Sequence, residues 1–234
     1  MVDYGHYTDA AIPTGEGVVT LSEGEVLEKV IIVHPGSEQL PFSKIVAMKD
    51  SRADICIIVM PGVDIEIPLY VDLAGEGAHV CLDGIYLCGD SEKVTFRTDI
   101  RHRVGKCISE QLFNGIAAGT SHAGFYGRIV VAPDAQKTEA YQSNHNILAS
   151  ETAKVDTKPQ LEIYADDVKC SHGATIGSLN PDEQFYMRSR GISQTEAKVL
   201  QMISFVAPVI AHIGDEELRE KIAAEVEKNI RSIV

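Results

Sequence analysis

Hydrophobic and polar positions alternate in short runs through the first three quarters of the chain, and then the period changes. VVTL at 18–21, EKVIIVH at 28–34, ADICIIVM at 53–60, DIEIPLYVDL at 64–73, AHVCLDGIYLC at 78–88 and KVTFRTDI at 93–100 read as strands. KCISEQLFNGIAA at 106–118, GFYGRIVVA at 124–132, KTEAYQSNHNILA at 137–149 and LEIYADDVKCSHGATI at 161–176 continue the pattern, with Gly, Asp and Pro between runs. In the last of these, Leu161, Ile163 and Val168 are expected to face a core, and Glu162, Asp166 and Lys169 to face water. No amphipathic helix separates the runs, which argues against βαβ units. Ala78, Lys93, Lys106, Ala123, Lys137, Ala153 and Val168 open successive runs at steps of 15, 13, 17, 14, 16 and 15. Two steps make a unit of about 30 residues, the period of one coil in a β-solenoid. Period alone leaves a β-sandwich or jelly roll open, and it does not set the number of strands per coil.

From Pro181 the period becomes helical. Asp182–Arg190 is predicted as a short helix closed by Gly191. Ser193 and Glu196 form an S-x-x-E box opening a second helix from Gln194 towards His212. Its expected apolar stripe is Ala197, Leu200, Met202, Ile203, Val206 and Ile210, and Pro208 is expected to kink or divide it. Gly214 stops that helix and Asp215 caps a third, where Leu218, Ile222, Val226 and Ile230 recur every four residues. These helices are expected to cap the end of the solenoid or to dock on another protein. The organisation expected is a polar lead-in at 1–15, a β core at 16–180 and a helical segment at 181–234.

Composition narrows the partners. A net charge of −13 over 234 residues argues against a nucleic-acid or anionic-membrane surface, both of which need clustered Lys and Arg. Residues 1–20 lack the order of a signal peptide. The most apolar window, Val199–Ile213, is 15 residues long, short of the roughly 20 a membrane helix needs. A soluble, cytoplasmic protein is expected.

The candidate chemistry centres on Cys170 and His172, which share one face of a strand and so can address one metal or one partner surface. The alternative is a buried thiol and a hydrogen-bonded histidine at a solenoid turn. Cys56, Cys81, Cys88 and Cys107 sit among aliphatic residues and are expected as inward-facing fillers. Their scattered spacing gives no disulfide framework and no self-contained zinc or cluster site. His102 in IRHR and His122 in TSHAG are expected as surface histidines, and Asp166–Asp167 as a solvated turn. Tyr141, Asn144, His145 and Asn146 form a polar strand of the kind that could line a shared surface. No phosphate-binding loop, hydrolase elbow or dinucleotide fingerprint is present, so no nucleotide site is expected in this chain.

KCSHGATIG followed by FYMRSRGIS resembles the C-terminal signature of the SufB/SufD family, scaffolds of sulfur-mobilisation iron–sulfur cluster assembly, and lies nearer the SufD side. The resemblance implies a mainly β fold, a right-handed parallel β-helix with a C-terminal α-helical segment. It implies a non-catalytic role, and a transient iron–sulfur cluster met at a subunit interface by His172, with Cys170 as a less certain helper. The implied partners are a SufB-like scaffold, or a second copy forming a homodimer, and a SufC-like ABC ATPase bound by the C-terminal helices. Phe185, Tyr186, Met187, Arg188 and Arg190 are the candidate docking residues. A run like QSNHNIL at 142–148 recurs in the rungs of this family, so the resemblance implies a packed asparagine ladder there. Family members usually carry a further N-terminal region, and nothing in this sequence corresponds to it. A parallel β-helix also admits a carbohydrate lyase or hydrolase, which needs clustered carboxylates and basic residues on one exposed face, or a purely structural self-associating solenoid.

Overall fold

The computed structural model describes residues 17–36 and 40–234; the lead-in expected at 1–15 lies outside them. Twelve strands and three helices follow in order. The early strands are β1 (Val18–Leu21), β2 (Val26–Val33), β3 (Lys44–Ala47), β4 (Arg52–Val59), β5 (Ile65–Leu73) and β6 (His79–Cys88). The later ones are β7 (Lys93–His102), β8 (Ile108–Ala117), β9 (His122–Val131), β10 (Glu139–Leu148), β11 (Lys154–Ile163) and β12 (Lys169–Ser178). Odd-numbered strands form one six-stranded parallel sheet and even-numbered strands another. Each coil therefore contributes two strands, one to each sheet, and the chain is a parallel β-solenoid. Register partners such as Glu139 and Lys169, or Lys93 and His122, lie about one predicted period apart. The run at 161–176 is two strands, because Tyr164–Val168 turn the corner between sheets.

Inside the rod the two sheets face one another through apolar side chains on alternate positions. Tyr86 and Phe113 from the even sheet interleave with Phe96 and Phe125 from the odd one, with ring centroids 4.9 to 5.8 Å apart. Tilted rings at this spacing add to the area they bury. Two glycines make room for them. A Cβ on Gly115 would stand 1.9 Å from the Tyr86 ring, and one on Gly84 2.4 Å from Phe113. Lys106 and Lys137 occupy left-handed turns, at φ of 58° and 60°, just before β8 and β10.

The outer faces differ. On the odd sheet, Arg97 meets Glu66 at 2.8 Å and lies 4.4 Å from the centre of the Tyr126 ring. Arg128 joins Asp99 at 2.6 Å, and Asp72 meets Lys44 and Arg103, both at 3.0 Å. These carboxylates are held as ion pairs. On the even sheet an apolar strip of the outer face, built from Ile58, Met60, Ile85, Leu87 and Ile116, is covered by helices, beside polar positions such as Asp54, Asp83 and Glu110.

The helices are α1 (Pro181–Ser189), α2 (Gln194–Ala211) and α3 (Glu216–Ser232). Asn180, Ser193 and Asp215 cap them, each side chain accepting a hydrogen bond from a first-turn amide. Gly191, at φ of 88°, ends the first. The capping box of α2 is half formed: Ser193 accepts from the Glu196 amide, while the Glu196 carboxylate turns to Arg231 of α3 at 2.7 and 2.9 Å.

Three expectations about this segment are corrected. First, α2 and α3 do not cap an end of the solenoid. They lie along the outer face of the even sheet, where Val199, Met202, Val206, Val209, Ile222, Val226 and Ile230 pack on Ile58, Met60, Ile85, Leu87 and Ile116. Second, Ala197, Met202, Val206 and Ile210 lie on the buried stripe of α2 as expected, but the stripe also takes in Val199 and Val209, and Leu200 points outwards at 39% exposure. Third, of the kink or division expected at Pro208, division does not occur: the helix is continuous to Ala211. No described helix is long and apolar enough to cross a membrane.

A candidate scaffold edge at the last coil

The solenoid ends on an uncovered rung. β12 pairs with β10 and β11 with β9, and neither has a described strand on its other side. Such an edge leaves a row of backbone amides and carbonyls open to another chain. In β10 the interior-facing residues are Ala140, Gln142, Asn144 and Asn146, all buried. Register places Cys170 on Ala140, His172 on Gln142, Ala174 on Asn144 and Ile176 on Asn146. Cys170 and His172 thus project from the inner side of the final strand, as their spacing predicts. No further coil covers them, so His172 is exposed, while Cys170 is half-buried against the rod's core. Burial pushes the Cys170 thiol up, so the proton must leave before sulfur can ligate a metal well. The His172 ring has no hydrogen-bond or ionic partner among the described residues.

Below this rung the interior turns polar. Asn144 donates to the Tyr86 hydroxyl at 3.1 Å and to the Phe113 carbonyl at 3.2 Å, and Asn146 donates to Asn144 at 2.7 Å. The Tyr86 hydroxyl in turn donates to Asn146. The expected asparagine ladder is therefore real for Asn144 and Asn146, whereas Tyr141 and His145 lie on the outer side. Gln142, beneath His172, and Gln111, one coil further in, leave both amide atoms without a hydrogen-bond partner among the described residues. The edge itself is unusually apolar for solvent: Ile163 is 40%, Tyr164 61% and Ile176 45% exposed. Ile163 shares the inward side of β11 with Leu161 and is in register with the core residue Val131, as expected, yet it is exposed because no described coil covers this rung; Leu161 and Val168 pack on the core.

Phe185, Tyr186, Met187 and Arg188 lie on α1, which buries no residue of its own, and Arg190 caps its C-terminus. Phe185 is 74% and Tyr186 60% exposed, and Arg190 lies 5.3 Å from the centre of the Tyr186 ring. Met187 is half-buried, and Arg188 and Arg190 are exposed. Gln201 of α2 fixes this helix from behind, donating to the Asn180 carbonyl at 3.0 Å and to Glu183 at 2.7 Å.

Other candidates fall differently from expectation. Cys88 and Cys107 do face the core, but Cys56 and Cys81 point out of the even sheet. Cys56 is buried because helices cover it. Cys81 is only partly buried, beside Asp83 and His212, a grouping that local sequence does not reveal. His102 is not a surface residue: it is 1% exposed and bonds Ser109 at 2.8 Å inside the rod. Burial drops its pKa to about 4, so it is neutral at physiological pH. His122 is at the surface and meets Asp156 at 2.7 Å. Asp166 and Asp167 occupy the expected exposed turn, where Asp167 pairs with Lys137.

Residues 34–205 match the family model described as "SUF system FeS cluster assembly, SufBD core domain". The chain belongs to the SufB/SufD family. The similarity is strong towards SufD of Escherichia coli (strain K12), an iron–sulfur cluster assembly protein 35% identical over 85% of this chain and 47% of its own length. A SufBD family protein of Synechocystis is 43% identical over 45% of this chain and 23% of its own length. SufD of Bacillus subtilis (strain 168) is 26% identical over 78% of this chain and 42% of its own. The chain thus spans about half or less of the length of these SufB/SufD relatives. The SufBD core match covers most of the solenoid together with α1 and the first part of α2.

Proposed function

We propose that this protein is a non-catalytic scaffold subunit of SUF-type iron–sulfur cluster assembly. Its last coil pairs with a second scaffold chain, SufB-like or a copy of itself. At that seam His172, with Cys170 beside it, receives the nascent cluster as cargo. The observation that carries this reading is the open rung of β12, which sets an imidazole and a thiol side by side on an unpaired edge. A neutral imidazole ligates iron beside thiolates, and it lets go more readily than thiolate sulfur. Transfer to an acceptor needs that. The odd sheet's outer carboxylates, held in ion pairs, offer little of the free acid–base pair a polysaccharide-cleaving solenoid would use.

Pairing through this edge predicts that Ile176→Glu releases the partner. The residue is 45% exposed in the free chain, so its own fold should barely notice the change. At a seam the same carboxylate is buried without a partner, and affinity should fall about 100-fold or more. Light scattering after size-exclusion chromatography measures it. Undiminished pairing would place the subunit contact elsewhere.

A SufC-like ABC ATPase is the partner proposed for α1, with Phe185 and Tyr186 as its apolar anchors and Arg188 and Arg190 at the rim. Truncating an interface anchor costs about 2 kcal/mol or more, equivalent to roughly 30-fold in affinity. The double variant Phe185→Ala, Tyr186→Ala should therefore lose ATPase binding in titration calorimetry while its melting temperature holds. Wild-type affinity in that variant would end the assignment. Nucleotide-driven movement of the ATPase would then reach the solenoid through Gln201 and α2, loosening the seam.

A further inference from the structure

A second cluster of ligating atoms lies away from the open rung, where α2 ends against the even sheet. Cys81 and Asp83 both project from the outer face of β6, two residues apart. His212, the C-terminal capping residue of α2, meets them from across a separation of 129 residues in sequence. His212 Nδ1 stands 2.7 Å from Asp83 Oδ2, Cys81 Sγ is 3.6 Å from that same oxygen, and the three ligand atoms lie within 4.8 Å of one another. Four-coordinate zinc with bonds of about 2.0–2.3 Å spaces its donors about 3.3–3.8 Å apart. The cluster is thus near metal-binding size as it stands. The His212–Asp83 contact would open by about 0.6 Å and the widest of the three separations would close by up to about 1 Å.

Two observations point to a ligand rather than to a latch alone. Asp83 is 4% exposed, and its Oδ1 has no hydrogen-bond partner among the described residues, a costly arrangement for a buried carboxylate. The trio also opens onto a cavity of about 730 Å³ lined by five carboxylates and only two basic side chains. That balance favours a cation. One of those carboxylates, Asp54, is the register neighbour of Cys81; its Oδ2 pairs with Arg52 at 2.7 Å, while its Oδ1 has no hydrogen-bond partner among the described residues.

We propose that Cys81, Asp83 and His212 form a binding site for a divalent cation of the first transition row, such as Zn²⁺ or Fe²⁺. A mixed sulfur, nitrogen and oxygen donor set suits these borderline ions and disfavours Mg²⁺ and Ca²⁺. On binding, the Cys81 thiol proton and the proton held between His212 Nδ1 and Asp83 Oδ2 are displaced, so that His212 ligates through Nδ1 as a neutral imidazole with its one proton on Nε2, and Asp83 supplies a carboxylate oxygen. The remaining coordination positions face the cavity. A metal here would bolt the end of α2, and with it the turn into α3, to the solenoid wall.

Co²⁺ titrated into the full chain provides the test, because a thiolate ligand gives a charge-transfer absorption that water, imidazole and carboxylate do not. The expected result is saturable binding with that band, its loss in Cys81→Ser, and at least a tenfold weaker affinity in His212→Gln. Cys170→Ser must keep the band, which separates this site from the open rung. A second reading is the thermal midpoint, which Co²⁺ should raise in the wild type and leave unmoved in Cys81→Ser. No charge-transfer band in the wild type, or a band that survives Cys81→Ser, would overturn the proposal.

Discussion

A chain ending at Gly191, without α2 and α3, should fail to give a monodisperse folded protein. The helices cover an apolar outer face built from Cys56, Ile58, Met60, Ile85, Leu87 and Ile116, all buried in the intact chain. Fully burying one such aliphatic side chain is worth about 1.5–3 kcal/mol. Stripping the cover from several at once therefore costs on the order of a whole domain's net stability of about 5–15 kcal/mol. Asn114 would also lose the Phe205 carbonyl to which it donates at 2.7 Å, and Asp83 would lose His212. The exposed strip is a continuous hydrophobic patch, so association is the expected fate. Light scattering and binding of a hydrophobic dye would read it out. A soluble monomer melting at the wild-type temperature would show that the helices are appendages. This structural debt is also why docking on α1 is best probed by point substitutions: α1 buries nothing, whereas its neighbours are part of the core.

Much of the solenoid is legible in the sequence because an inward side chain meets its counterpart one coil away, so the alternation must repeat with the coil length. The run openings mark half-coils, and two strands per coil emerge only when register pairs such as Arg52 and His79, or Ile108 and Glu139, are seen. Caps were equally readable: Ser193 and Asp215 act locally, within three residues of the amides they bond. What alternation cannot tell is whether an outer face is wet. Cys56 and Cys81 stand on the outer side of the even sheet, and whether that side is dry depends on helices that return from more than a hundred residues downstream. His102 fails for a related reason: a polar residue in a charged run looks solvated, yet its parity sends it inwards to Ser109. The shared face of Cys170 and His172 follows from spacing. Their position at the uncovered end follows only from the count of coils, and the meeting of Cys81 and Asp83 with His212 is invisible to any local pattern.

The second large effect concerns His172. Its ring is exposed on the terminal rung with no intramolecular bond to lose, so His172→Ala should leave the fold and its melting temperature unchanged. Cys170, half-buried and with its thiol pushed up by burial, is the poorer first ligand, and its replacement should weaken cluster retention less. If the imidazole is this chain's principal ligand, removing it leaves the seam without its contribution to the cluster. The decisive measurement is anaerobic reconstitution with iron and sulfide in the presence of the partner scaffold, comparing wild type with His172→Ala by cluster absorbance per complex. The account predicts that the variant pairs normally but loses most of the absorbance; equal absorbance in both would remove His172 from the site and contradict it.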